Sequence, residues 1–257
     1  MKKWMSLLLV LGLLCSLPLS LGSCAKKPAA IVVEALAKTA ALEEYEAEMV
    51  MKVVMEVNGE KVEIPVEMDM KVKDAKSEHP TAFVEMEMEV MGVGMNTDAY
   101  VEGEWVYISM GAIQYKAKAE DAGMEPTYSE DMLKEIPLEI LETAEVVENA
   151  DGSITLSVDI PEDVFEDIFD EMIDSMNETA GASLTDLDLK LMDTRVKITV
   201  KDGYVTVYQI DYTMEMTVMG STVKAEASAV MTYKNIGQPV TITPPENYQN
   251  FPENPLY

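Results

Sequence analysis

The chain has 257 residues, with 47 acidic side chains against 19 lysines and arginines and a formal charge of −28. A body this acidic is repelled by phosphate backbones and anionic headgroups, which excludes nucleic acid as a partner and excludes peripheral electrostatic attachment to a membrane. Its two cysteines cannot build a disulfide framework, so the fold must rest on an apolar core, which a chain of this length can supply.

Lys2 and Lys3 open the chain, an apolar run follows from Trp4 through Leu14 to Leu21, and then comes Leu21-Gly22-Ser23-Cys24. An apolar residue, two small ones and a cysteine in that order form a lipobox. The transferase needs a thiol at the bilayer surface, and the signal peptidase needs small side chains around the bond it cuts. Residues 1–23 are therefore expected to be a lipoprotein signal peptide, with Leu21, Gly22 and Ser23 as the peptidase recognition residues and Cys24 as the lipidation site. Pro18 and the small-residue cluster argue against an uncleaved span. Cleavage would remove Cys15 and two lysines, leaving the mature chain more acidic and its single cysteine committed to lipid. A diacylglyceryl thioether carries two acyl chains or more, enough to anchor the protein on the extracytoplasmic face of a membrane.

Residues 24–28 read as the lipidated cysteine and a short tether. From Ala29 to Glu44 the apolar residues Val32, Val33, Leu36, Ala37 and Ala40 recur at helical spacing. The period then changes to two. Tyr45, Ala47, Met49, Met51, Val53, Met55 and Val57 share one face, and Asn58-Gly59 is a strong hairpin signal. Val62, Ile64, Val66, Met68, Met70 and Val72 continue the pattern, as do Ala82, Val84, Met86, Met88 and Val90, with charged residues between them. Gly92 and Gly94 turn the chain, and two further strands are expected between Asp98 and Ala119.

The middle reads as helical. Ser129 can cap a helix carrying Met132, Leu133 and Ile136, which Pro137 ends or kinks before Ile140, Leu141, Ala144 and Val147. A strand from Ser153 to Ile160 follows Asp151-Gly152. Pro161 opens another helix with a stripe of Val164, Phe165, Ile168, Phe169, Met172, Ile173 and Met176. Its opposite face is crowded with acids four apart, from Glu162 to Asp174, which repel one another; 161–178 is a candidate lid, against the plainer reading of a static helix with a solvated acidic face. Three long strands follow: Leu187 to Val200, Tyr204 to Val218 and Thr222 to Tyr233. In the first, the apolar phase moves between Leu191 and Val196, which predicts a bulge near Asp193. Met86 to Gly92 and Met214 to Gly220 are alike in sequence, a likeness that convergence of methionine-rich strands explains better than duplication does. The proline-rich tail is expected to be extended.

The assembled reading is α+β: one large, curved antiparallel half-barrel of about nine to ten strands, apolar on one face, with three helices covering that concave face. All but Met1 and Met5 of the 21 methionines lie beyond the signal. Methionine is flexible and polarisable, so a concavity lined by it tolerates ligands of loose shape such as acyl chains. Met49, Met51, Met68, Met70, Met86, Met88, Phe165, Phe169, Met172, Tyr212, Met214 and Met216 are the candidate cavity residues, against the plainer reading that they fill an ordinary core. Met-x-Met pairs place two soft sulfurs on one face. With no histidine beside them, no metal site is expected. The single histidine, His79, sits in a turn without a nucleophile elbow, a phosphate loop or a Cys-x-x-Cys pair to accompany it. The expectation is therefore no cofactor and no enzymatic activity.

The order of a lipobox, one helix, long hairpin strands, two mid-chain helices and three closing strands resembles the LolA/LolB-like lipoprotein carriers, whose fold the LppX/LprG lipid-binding lipoproteins share. The ending Tyr233-Lys234-Asn235-Ile236-Gly237-Gln238-Pro239-Val240-Thr241-Ile242-Thr243-Pro244-Pro245 is similar to the last strand of small bacterial lipoproteins of unassigned function. The resemblance implies a single domain over 29–243, a tail over 244–257, and a half-barrel enclosing an apolar pocket for a lipid. LolA-type carriers use an arginine on an early strand. The sole arginine here is Arg195, late in the chain, and that role is not carried over. The function expected is a membrane-anchored lipoprotein that holds or carries a hydrophobic ligand; the alternative is a cell-envelope protein-binding or sensor module with a solid core.

Overall fold

The two-residue period from Tyr45 onward builds strands that pair into one sheet. The computed structural model describes residues 27–57, 60–77, 79–90, 92–119, 136–164, 188–218 and 221–253. Its strands are β1 (Tyr45–Val57), β2 (Glu60–Lys73), β3 (Thr81–Val90), β4 (Val93–Glu102), β5 (Trp105–Met110), β6 (Ile113–Lys118), β7 (Glu145–Glu148), β8 (Ile154–Asp159), β9 (Asp188–Lys201), β10 (Tyr204–Val218) and β11 (Ser221–Lys234). They form one 11-stranded sheet in the order β6-β5-β4-β3-β2-β1-β11-β10-β9-β8-β7. Two runs of hairpins meet where β1 pairs antiparallel with β11, from Glu46↔Lys234 to Met55↔Ala225. The edges β6 and β7 do not join, so the sheet is an open half-barrel of the expected α+β class.

Helix α1 (Pro28–Ala40) lies over β9 and β10. Pro28 begins it where a backbone N–H needs no partner, and Ala29, Val32 and Ala35 turn inward. These three pack with Leu156, Leu191, Val196, Ile198, Val200, Val205 and Ile210 in the main core. The lower end of the helix is tied to the β9–β10 turn. The Lys38 ammonium donates to the Asp202 carbonyl at 2.6 Å and stands 3.8 Å over the Tyr204 ring. Asp202 and Gly203 take φ of 53° and 78°, the left-handed pair that a tight hairpin turn requires.

Both irregularities of the β9–β10 ladder serve packing. One register shift falls between Val205 and Val207, where the Val205 N–H donates to the buried Thr39 hydroxyl at 2.9 Å. The same hydroxyl donates to the Ala35 carbonyl at 2.8 Å, so one side chain links helix and bulge. The other shift, between Asp211 and Thr213, sets two residues of β9 against one of β10. Asp193 has φ of 53° there, and Leu191 and Val196, on either side, are both buried. The phase change read at Asp193 is this bulge.

Two expectations are corrected. Three strands rather than two occupy Val93 to Lys118: Gly94 lies inside β4, and a turn at Gly111 (φ 59°) folds β5 onto β6. The helix expected to run on to Val147 stops at α2 (Leu138–Leu141), where the Thr143 hydroxyl donates to the Ile140 carbonyl at 2.7 Å. Val146 and Val147 instead pair with Leu156 and Thr155 as β7. Adjacent β-branched residues lose rotamer freedom in a helix and fit a pleated strand. Asn149, donating to the Ser153 and Thr155 hydroxyls at 2.9 Å each, closes the β7–β8 turn. Residues 162–164 are helical, and Val164 packs on the main core. Ser129, Met132 and Leu133, and the stripe and acids beyond Val164, lie outside the described residues.

The tail doubles back over the convex face. The Val240 N–H donates to Glu44 at 2.7 Å, and Val240 and Phe251 are buried. Tyr248, in a short 3-10 turn (Tyr248–Asn250), meets the rings of Tyr100 and Tyr107 edge-on at 5.0 and 4.8 Å. The Lys116 N–H donates to the Pro252 carbonyl at 2.8 Å, joining the tail to edge strand β6. The tail is thus a strap that runs from β11 to the far edge of the sheet.

Candidate functional site: a methionine-lined half of the concave face

Cross-strand register decides which side chains meet, and here it lines up residues that are remote in sequence. Met49 stands opposite Met68 on β2 and Met231 on β11, and Met68 stands opposite Met86 on β3. The row continues through Thr97, Met110 and Ile113 on one side. On the other it passes through Tyr208, Ile198, Leu156 and Val146, so it crosses all eleven strands. Two residues further along the strands, Met51, Val66, Met88 and Met95 form the neighbouring row. Residues directly opposite in a ladder share a face, so these rows tile the concave side.

The two halves of that side differ. Under α1, on β8 to β10, the fully buried lining is leucine, isoleucine and valine, with Tyr208, Tyr212 and Met214 packed against it. From β11 to β6 it is rich in methionine and incompletely covered by the described residues. Met49, Met51, Met68, Met86 and Met88 are half-buried, Met95 is 44% exposed, Met110 39% and Ile113 61%. The predicted residue Met70 is buried with Val72 and Ala82 in a satellite cluster. Tyr212 and Met214 pack against the main core beside α1, away from the open half. Met216 lies on β10 opposite Val223 and Leu189. Phe165, Phe169 and Met172, like Leu21, Gly22, Ser23 and Cys24, lie outside the described residues.

Sequence reading missed Met95, Met110 and Met231 as members of this surface. The signal was present in the alternation of β11, where Met231 follows Ala225, Ala227 and Ala229, but only pairing shows that it abuts Met49. Tyr208 extends the same row, and burial pushes its phenol well above the usual tyrosine range. Among the described residues the Tyr208 hydroxyl has no hydrogen-bond partner.

The convex side is a different surface. A depression of about 390 Å³ lies there beside the Asp193 bulge, lined by Lys52, Val54, Asp211, Thr213, Glu226 and Ser228 among others. Asp211 accepts from Ser228 at 2.6 Å and from Gln209 at 2.8 Å, with the Lys197 ammonium at 3.6 Å. Desolvation is the largest single influence on its carboxyl and acts upward. Ser228, Gln209 and Lys197 together outweigh it and hold the group below the usual range. Elsewhere the face is laced with exposed ion pairs, such as Lys234 to Glu48 at 2.7 Å and Lys52 to Glu63 at 2.8 Å, each worth little alone. His79 is exposed in the β2–β3 turn. Among the described residues no three His, Cys, Asp or Glu side chains group to hold a metal ion, and no helix is long and apolar enough to cross a membrane.

An open antiparallel half-barrel with one oily face belongs to a recognisable class, and the comparisons give it a family. The chain belongs to a family of unknown function, DUF6612, whose model matches residues 27–250. It is similar to LprF from Mycobacterium bovis, with 16% identity, 85% of this chain and 96% of that one covered, and a TM-score of 0.41. It is also similar to a LolA-superfamily protein from Nitrosomonas europaea, with 6% identity, 82% and 93% covered and a TM-score of 0.26. A DUF1329 family protein from Desulfovibrio piger matches at 9% identity, 82% and 93% covered and a TM-score of 0.26. No curated protein sequence matches the chain.

Proposed function

We propose that this protein is a lipoprotein of the extracytoplasmic membrane surface, anchored through a diacylglyceryl Cys24, whose methionine-lined concave half binds an acyl chain or a ligand of similar hydrophobicity. The observation that carries the reading is the uneven covering of one apolar face. Helix α1 closes the β8–β10 half, while Val93, Met95, Met110 and Ile113 stand 39–64% exposed along the other. Contiguous apolar surface of this kind costs free energy in water and marks a place where something greasy sits. Flexible thioether side chains suit a guest without fixed shape, and the Tyr208 hydroxyl supplies one polar group for its head. The chain's own role is to bind and shield, with no bond made or broken.

The test uses residues 25–257, purified without lipid. Native mass spectrometry is expected to show co-purifying lipid, and the stripped protein to take up a fluorescent fatty acid. Met86→Glu and Met88→Glu place a carboxylate in the lining and are expected to abolish uptake while leaving the far-UV spectrum unchanged. A homogeneous ligand-free mass together with no uptake would overturn the reading and leave the same face to a protein partner.

A further inference from the structure

We propose that Met49, Met68, Met86 and Met231 form a thioether site for a soft monovalent cation, Cu(I). Pairs two apart on a single strand offer only two sulfurs, too few for a site. The register adds the rest, because β3, β2, β1 and β11 place these four methionines side by side in one unbroken row. Directly opposed residues have Cβ atoms about 5 Å apart, and three rotatable bonds let each sulfur swing toward its neighbours. Three adjacent thioethers can therefore converge on one ion. Met51 and Met88 stand in the next row on one side, with Met70 on the other, as reserve ligands.

The placement is not what composition alone would give. In the half under α1 the same kind of inward position is filled by Leu156, Leu191, Val196, Ile198, Val200 and Ile210. Those residues pack with better-defined rotamers than methionine does, so a sheet needing only a core could have used them throughout. Methionine is concentrated instead on β1, β2 and β3, which carry seven, with Met231 of β11 beside Met49.

The donor set also chooses the metal. Thioether sulfur is neutral and polarisable, and it selects Cu(I) over divalent ions that want imidazole or carboxylate. Strand alternation sends the carboxylates of these strands to the convex side, away from the row. Met231 is 6% exposed and its three partners are half-buried, so an ion can enter from the concave side while few waters compete with sulfur. The surrounding charge of −28 raises the local concentration of any cation. This site does not depend on lipid binding, and leucine in its place keeps the face apolar.

The experiment uses the full-length protein extracted from membranes in detergent, with any free thiol blocked by N-ethylmaleimide. Cu(I) is supplied as its coloured bicinchoninate complex, and the loss of colour counts the copper that the protein removes. Wild type is expected to withdraw one equivalent, with the methyl signals of these four methionines alone shifting in a spectrum of 13C-methyl-methionine-labelled protein. Met49→Leu/Met68→Leu/Met86→Leu is expected to lose that equivalent, whereas Met192→Leu on the opposite face withdraws it as wild type does. Failure of wild type to withdraw copper, or undiminished withdrawal by the triple variant, would overturn the site without touching the lipid reading.

Discussion

Thr39 joins helix α1 to the sheet through two hydrogen bonds at a position only 4% exposed. Replacing it with valine preserves shape and β-branching, and hence the rotamer cost in the helix, while removing the acceptor for the Val205 N–H. The Val205 amide lies in the bulge, and in the folded state water cannot replace the hydroxyl at this buried site. An orphaned buried donor costs about 1–3 kcal/mol, partly offset by the extra methyl that valine buries. Thr39→Val is therefore expected to lower unfolding free energy by about 1–2 kcal/mol in urea titrations followed by circular dichroism, with an unchanged m-value. Thr39→Ser keeps the hydroxyl and should recover most of the loss. Equal stability of the valine variant and wild type, with a large loss in Thr39→Ser, would show that methyl packing rather than the hydrogen bond joins helix to bulge.

Cys24→Ala should accumulate as a precursor that takes up no labelled palmitate, read by gel mobility and autoradiography; labelling equal to wild type would end the lipobox assignment. Phe251→Ala removes a ring that is 5% exposed. It is expected to cost about 3 kcal/mol and to speed hydrogen exchange at the Lys116 amide, which the strap covers. The Asp211 carboxyl has a depressed folded pKa, so its contribution is complete above the unfolded value of about 3.9 and fades as pH falls from there through the lower folded value. Asp211→Asn should accordingly be less stable than wild type at pH 7 and lose less on acidification, in urea midpoints measured from pH 7 to pH 3. An acid limb as steep as that of wild type would contradict the hydrogen-bonding argument.

Much of this architecture is legible in the residues themselves. The period of two assigns each strand residue to a face, Asp202-Gly203 marks a left-handed turn, and the broken phase between Leu191 and Val196 announces the bulge. Local chemistry determines these features, because turns, pleats and phase depend on neighbours a few positions away. The short strand β7 escaped notice for the opposite reason. Val146 and Val147 fit a helical stripe until Leu156 and Thr155 offer them a ladder. The course of the tail is decided by Tyr100 and Tyr107, which are distant in sequence and meet Tyr248 only after β4 and β5 have paired.

By itself, then, the order of residues determined an acidic outer surface, an oily inner one and the hairpins between them. Only the tertiary structure decided that Met231 stands against Met49, that leucine and valine collect under the helix, and that methionine collects where covering is thin. The physical reason is that alternation fixes the face of a side chain but is silent on its register. Register comes from turns closing at particular lengths and from the meeting of β1 with β11 across almost the whole chain.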